Sequence, residues 1–164
     1  MIGLGSVGRE TARLGQCLGM KVVGTKRTVE GVDPTSVNVD ELYAWDDLDP
    51  VLSKSDFLVR ICPETDETRG MIGKEELAKM KEGSVLINIA RGSIVDEPEL
   101  INALQSGHLG GAAMDVATKE PLPLARASTV EAENENLTDI FVDNLGRYIE
   151  GRPFRNLLDK KALY

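Results

Sequence analysis

Met1-Ile-Gly-Leu-Gly-Ser-Val-Gly8 opens the chain and decides how the rest is read. Two apolar residues of a strand run straight into Gly-x-Gly-x-x-Gly, with Gly3, Gly5 and Gly8 at the marked positions. Gly3 would allow a tight strand-to-helix turn, and Gly5 would let the backbone approach a pyrophosphate. Gly8 would let the helix pack closely on the strand. Ser6 and Val7 then fall at a helix start, where free N–H groups and the helix dipole favour an anion. A lone glycine loop is weak evidence, so its flanks carry the weight. Val7, Thr11, Leu14 and Leu18 recur at helical spacing, which predicts an amphipathic helix ended by Gly19. Lys21-Val-Val-Gly24 reads as a second short strand. The first strand, by contrast, is only the stub Met1-Ile2.

Size and composition narrow the classes. A chain of 164 residues with 41% hydrophobic content fits one domain of ordinary size. A formal charge of -8 argues against bulk attraction to nucleic acid or to an anionic membrane. Cys17 and Cys62 lack metal-site spacing, and no metal site is expected. Two reduced cysteines, no secretory leader and no long apolar run lead us to expect a cytoplasmic protein that does not span a membrane.

Downstream, strands and helices alternate. Val37-Asn-Val39 with Leu42-Tyr43 suggests a brief third strand, followed by an acidic helical turn from Asp46 to Leu52. Phe57–Ile61 reads as a fourth strand closed by Pro63, Thr65–Gly70 as a polar loop, and Lys74–Met80 as a short helix. Ser84–Ile89 is a near-continuous apolar strand of the kind buried in parallel sheets. Asp96 is placed to cap the next helix, with Pro98 in its first turn and Glu99 three residues on. Leu100, Ile101 and Leu104 would face inward, and Gly110–Val116 would form a sixth strand. The pattern predicts an α/β fold, a doubly wound, mostly parallel Rossmann-type sheet with first and last strands shortened or missing. We expect a dinucleotide-binding core over residues 1–123 and a connection over 124–136. A C-terminal amphipathic helix and tail over 137–164 would follow, with Leu137, Ile140, Phe141, Leu145, Tyr148 and Ile149 apolar.

These stretches resemble the D-2-hydroxyacid dehydrogenases, which include phosphoglycerate, glyoxylate and hydroxypyruvate reducing enzymes. The matching segments are Gly3–Gly8, Cys62–Gly70, Asn88–Glu97, Ser106–Val116, Lys119–Pro123 and Arg152–Asp159. The resemblance implies an oxidoreductase that moves hydride between a nicotinamide dinucleotide and a small 2-keto or 2-hydroxy acid. It places Ser6 and Val7 at the pyrophosphate, and Cys62, Pro63 and Thr68 near the nicotinamide ribose and phosphate. Ile89, Ala90 and Arg91 would lie under the nicotinamide, with Asp115 at its carboxamide side. Arg91 would hold the substrate carboxylate, since a guanidinium matches a carboxylate bidentately. Glu120 would hold and tune a catalytic histidine.

That histidine is expected in a Thr-Pro-His context after one more strand. Here Pro123 is followed by Leu-Ala-Arg-Ala-Ser-Thr-Val-Glu-Ala-Glu-Asn-Glu and then the Leu137 helix. His108 is the only histidine in the chain, and its family position is a non-catalytic helix-to-strand turn, suited to helix termination or solvation. The family's second, substrate-binding half has no counterpart here.

Two readings therefore stand. One is a dehydrogenase of this type, either residual in activity or assembled with its missing portion in another chain; the other is a remnant that only binds nucleotide or self-associates. A short-chain reductase is disfavoured because no Tyr-x-x-x-Lys pair occurs. Uncovered sheet edge and helix faces favour self-association. For the cofactor, NAD or NADP, the segment after the second strand is informative. An acid there normally accepts the ribose hydroxyls of NAD and repels the 2′-phosphate of NADP. Thr25-Lys26-Arg27-Thr28 puts two cations in that place, which favours NADP.

Overall fold

The computed structural model describes residues 1–116 together with Thr118, Asp143, Arg147, Glu150 and Arg152. The chain divides into two compact units, Met1–Pro121 and Leu122–Tyr164. The connection expected over 124–136 and the apolar positions of the expected Leu137 helix lie outside the described residues. In the second unit, Asp143 and Arg147 are helical, and Arg147 Nε donates to Asp143 Oδ2 at 2.9 Å.

The first unit is a parallel sheet with helices between its strands. Its elements are α1 (Ser6–Cys17), β1 (Val23–Lys26), β2 (Glu41–Ala44), α2 (Asp49–Lys54), β3 (Phe57–Arg60), α3 (Lys74–Lys79), β4 (Val85–Asn88), α4 (Glu97–Gln105) and β5 (Gly111–Met114). Strands β1 and β2 pair in parallel, as do β3, β4 and β5. The stub joins these two pieces: Ile2 bridges Thr25 on one side and Arg60 on the other, both in parallel sense. Its backbone is fully used, with Ile2 N–H donating to Val59 O at 2.8 Å and Ile2 O accepting from Ile61 N–H at 3.0 Å. The order is thus β2-β1-Ile2-β3-β4-β5, the doubly wound order with a first strand reduced to one bridged residue.

Both faces of the sheet are covered. One cluster gathers Ile2, Val51, Leu52, Leu58, Ile72, Leu77, Leu86 and Leu100, drawing on the α2, α3 and α4 side. The other gathers Met1, Leu4, Ala12, Val22, Val37 and Val39, drawing on α1. Strand β3 alternates accordingly: Leu58 and Arg60 are buried in the first sense, while Val59 packs against the second cluster.

Three local expectations are corrected. Val37 does not begin a strand, because Pro34–Val37 is a 3-10 turn that ends on Asn38 at φ +60°. Asp33 caps that turn by accepting from Thr35 N–H at 2.9 Å, and Pro34 suits the first position. Val37 and Val39 are still buried, so an alternation resembling a strand fills the core from a turn. The stripe expected to face inward from α1 is instead exposed: Val7 54%, Leu14 50% and Leu18 76%. The helix buries Gly8, where the strand-turn lies too close for any side chain, and Ala12, which packs in the second apolar cluster. In α4, Ile101 is exposed while Leu100 is buried and Ala103 and Leu104 pack beside it. Residues 100, 103 and 104 share a face at helical spacing, and 101 lies about 100° away. The cap forms as expected, with Asp96 accepting from Glu99 N–H at 3.1 Å.

His108 is half-buried and braces the fold. Its Nε2 lies 3.0 Å from the Leu77 carbonyl in the last turn of α3, and its own carbonyl accepts from Gly83 N–H at 2.7 Å.

Candidate functional site

In a parallel sheet every strand ends on the same side, so the residues that follow the strands converge there. That edge carries Gly3 after the Ile2 bridge, Lys26 and Arg27 at the end of β1, and Cys62 and Pro63 after β3. Ile89, Ala90 and Arg91 follow β4, and Asp115 follows β5. The chain leaves Ile2 through α1 towards β1 and resumes on the opposite side at β3. This reversal is where ligands bind in open α/β sheets.

The glycine turn is built from close contacts. Gly3 has φ +101°, and a Cβ there would lie 2.8 Å from Cys62. A Cβ on Gly8 would stand 2.1 Å from the Gly3 carbonyl oxygen, so helix and turn are in backbone contact. Gly5, the residue before α1, has nothing within 4 Å of the corresponding point, which leaves open space on the outer side of the turn. Ser6 and Val7 are exposed in the first turn of α1, which holds no acid and no side-chain cap. Their amides are among the free donors at the positive end of the helix dipole, and the first turn holds no acid to quench it.

The loop after β3 uses its polar groups internally. Thr68, 5% exposed, donates its hydroxyl to Pro63 O at 2.9 Å and accepts from Thr65 N–H at 2.8 Å. That hydroxyl shapes the loop. Cys62 is half-buried, and its Sγ accepts from Arg60 Nη2 at 3.1 Å. Burial pushes the Cys62 thiol up, against the opposing pull of Arg60. Arg27 Nη2 meets Glu67 Oε2 of the same loop at 2.8 Å.

After β4, Asn88 organises the turn. It is fully buried; its Oδ1 accepts from Ala90 N–H at 3.1 Å and its Nδ2 donates to Arg91 O at 2.9 Å. Both ends of one carboxamide are thus spent on holding the Ala90–Arg91 backbone. Arg91 itself is exposed, with Nη1 donating to Ala90 O at 2.7 Å. Asp115 is exposed, and its N–H donates to Asn88 O at 3.0 Å. Glu120 lies outside the described residues. Sequence reasoning missed Asn88 and Glu67. Asn88 was visible as the one polar break in an apolar strand, whereas nothing local marks Glu67.

Among the described residues, no group of His, Cys, Asp and Glu could hold a metal ion, and no helix is long and apolar enough to cross a membrane.

Comparison with known proteins agrees with this geometry. The chain is 34% identical to a hydroxypyruvate reductase of Blautia hydrogenotrophica, over 98% of this chain and 52% of that protein. A D-isomer specific 2-hydroxyacid dehydrogenase from Xanthobacter autotrophicus Py2, solved with NADPH and MES, superposes with a TM-score of 0.83 at 32% identity. That match covers 99% of this chain and 71% of the other. An NADPH-dependent glyoxylate/hydroxypyruvate reductase from Sinorhizobium meliloti, solved with NADP and sulfate, gives a TM-score of 0.84 at 31% identity. It covers 99% of this chain and 55% of that one. The chain spans between a third and about half the length of the curated relatives it matches over nearly its whole length. Residues 1–138 match the family described as D-isomer specific 2-hydroxyacid dehydrogenase, NAD binding domain. The chain belongs to that family and carries its Rossmann-type NAD-binding domain.

Proposed function

We propose that this chain binds a nicotinamide dinucleotide along the carboxyl edge of its sheet, prefers NADPH, and supplies the cofactor-holding part of a 2-hydroxyacid oxidoreductase. The observation that carries the reading is the open space at Gly5 beside the acid-free first turn of α1, at the sheet's reversal point. Ser6 and Val7 would offer amides to the pyrophosphate. Cys62, Pro63 and Thr68 would border the nicotinamide ribose, and Ile89, Ala90 and Asp115 the nicotinamide. Bound there, the cofactor supplies a hydride donor or acceptor. Arg91 would orient a 2-keto acid by its carboxylate, on a turn that Asn88 holds in place, and Glu120 would tune a proton-carrying partner.

For the choice of nucleotide, Lys26 ends β1 where an acid would stand in an NAD-specific site, and Arg27 follows it. Removing a like-charge clash and adding cations push the same way. The two structural relatives named above hold NADPH or NADP, which supports the reading. NADPH is expected to bind at least about tenfold tighter than NADH, or roughly 1.4 kcal/mol. Lys26→Asp should erase or reverse that preference without unfolding the chain. Equal dissociation constants in calorimetry at fixed salt would defeat it.

A second reading is favoured by one observation: the only histidine, His108, is committed to the Leu77 carbonyl. On that reading the 164-residue chain binds nucleotide without turnover. Reduction of glyoxylate or hydroxypyruvate by the purified chain should then be negligible and should appear only on mixing with a chain that supplies a proton donor. Robust stoichiometric turnover abolished by Arg91→Ala would overturn it. Self-association belongs to both readings, since Val7, Leu14, Leu18 and Met20 leave apolar surface around α1. Sedimentation is expected to show more than the 17.8 kDa species as concentration rises, and a monomer throughout would remove this part.

A further inference from the structure

Arg27 and Glu67 stand 40 residues apart in the chain and meet at 2.8 Å across the loops that follow β1 and β3. Both side chains are partly in solvent, 41% and 56% exposed. The pair brings a carboxylate from a distant loop to the locality where the end of β1 lacks its usual acid. A guanidinium recognises carboxylate and phosphate oxygens with the same N–H groups, so the two anions compete for it. We propose that Glu67 is a specificity-determining residue that occupies Arg27 and yields it when a 2′-phosphate binds.

The inference rests on the NADPH reading above and gives it an internal brake. On this proposal NADPH draws Arg27 off Glu67 and then places a phosphate near the released carboxylate. Both effects weaken NADPH, and neither touches NADH, which carries no such phosphate. Glu67 therefore narrows the gap between the two nucleotides that Lys26 and Arg27 open. An exposed ion pair is weak and screened by salt, so the effect is modest: about threefold.

Calorimetry on the 164-residue chain with NADPH and NADH tests this in the wild type, E67Q, E67D, R27A and R27A/E67Q. E67Q should tighten NADPH about threefold and leave NADH unchanged, and E67D, which keeps the charge, should hold the wild-type ratio. In the R27A background most of the gain should vanish, because the pair it releases is already gone. A wild type that prefers NADPH, with a ratio E67Q leaves unchanged or lowers, removes the role of Glu67 and leaves the NADPH reading intact. A wild type that binds both nucleotides equally, or neither, overturns that reading and this inference with it.

Discussion

Lowering the pH from 7.5 to 5.5 is expected to cost the folded 164-residue polypeptide about 2 kcal/mol of stability through the Met1 amine alone. Met1 is 7% exposed, and its amine donates to the Val23 carbonyl at 2.7 Å inside the sheet. Burial lowers the pKa of that amine from 8.0 to about 5. The depressed value means that the folded state prefers the neutral amine, while the unfolded chain stays protonated up to pH 8. Between pH 5 and 8 the unfolded state holds more protons, so stability rises with pH through this window. Below pH 5 the full penalty applies, about 4 kcal/mol for three units, and above pH 8 it is absent.

Carboxylates act in a lower window. Glu41 receives Lys21, then Lys54 and the Tyr43 hydroxyl, and is held at about 2. Its contribution is lost only as pH falls below the ordinary carboxylate range, so the two slopes separate. Urea midpoints at the two pH values, on the free-amine chain and on one with a single extra residue before Met1, measure the difference. The longer chain has a peptide N–H that keeps the bond to Val23 and carries no charge. It should lose most of the slope. Equal slopes in the two chains would show that the Met1 amine is not the source.

How far the sequence reaches depends on the range of the interaction. The glycine turn was legible because Gly3, Gly5 and Gly8 encode backbone geometry within eight residues, and the Asp96 cap because its partner is three residues away. The strands before Pro63 and Arg91 were legible from their apolar runs. On α1 the close approach at Gly8 was legible from the glycine spacing, but the burial of Ala12 in place of the larger apolar residues was not. The 3-10 turn at Pro34 was hidden because Val37 and Val39 bury as strand residues do. At the site, the positions at the strand ends follow from parallel topology, but the direction of each side chain does not. Thr68 turned its hydroxyl into its own loop, and Glu67 reached Arg27 from another. Such pairings are products of the fold, with no local pattern to announce them.

Arg60→Met is expected to raise stability by about 1–4 kcal/mol, an unusual sign for a change at a fully buried position. Arg60 ends β3 with no exposed surface; Ile2, which bridges it, and Leu58, two residues back on the strand, belong to the apolar cluster on that face. Its Nη2 reaches only sulfur, at Cys62 Sγ (3.1 Å) and Met71 Sδ (3.8 Å). Its Nε and Nη1 have no partner among the described residues. Burial lowers its pKa, but a guanidinium does not give up its proton in a protein, so the charge remains, and no anion among the described residues compensates its desolvation. Sulfur is a weak acceptor and cannot offset several kcal/mol. Methionine keeps the unbranched stem, suits a pocket already lined by sulfur, and brings no polar atom that needs water. Arg60→Lys, which retains a charge, should not share the gain, and Arg60→Ala would confound it with a cavity. Thermal and urea unfolding at pH 8, where the Met1 amine no longer contributes, isolate the effect. If Arg60→Met instead lost about 3 kcal/mol or more, the guanidinium would have to be paired with a buried anion, since that is the cost of breaking such a pair. A gain in stability accompanied by loss of NADPH binding would mark Arg60 as a charge kept for the cofactor edge beside Cys62. A gain with binding unchanged leaves it as strain that the surrounding core absorbs.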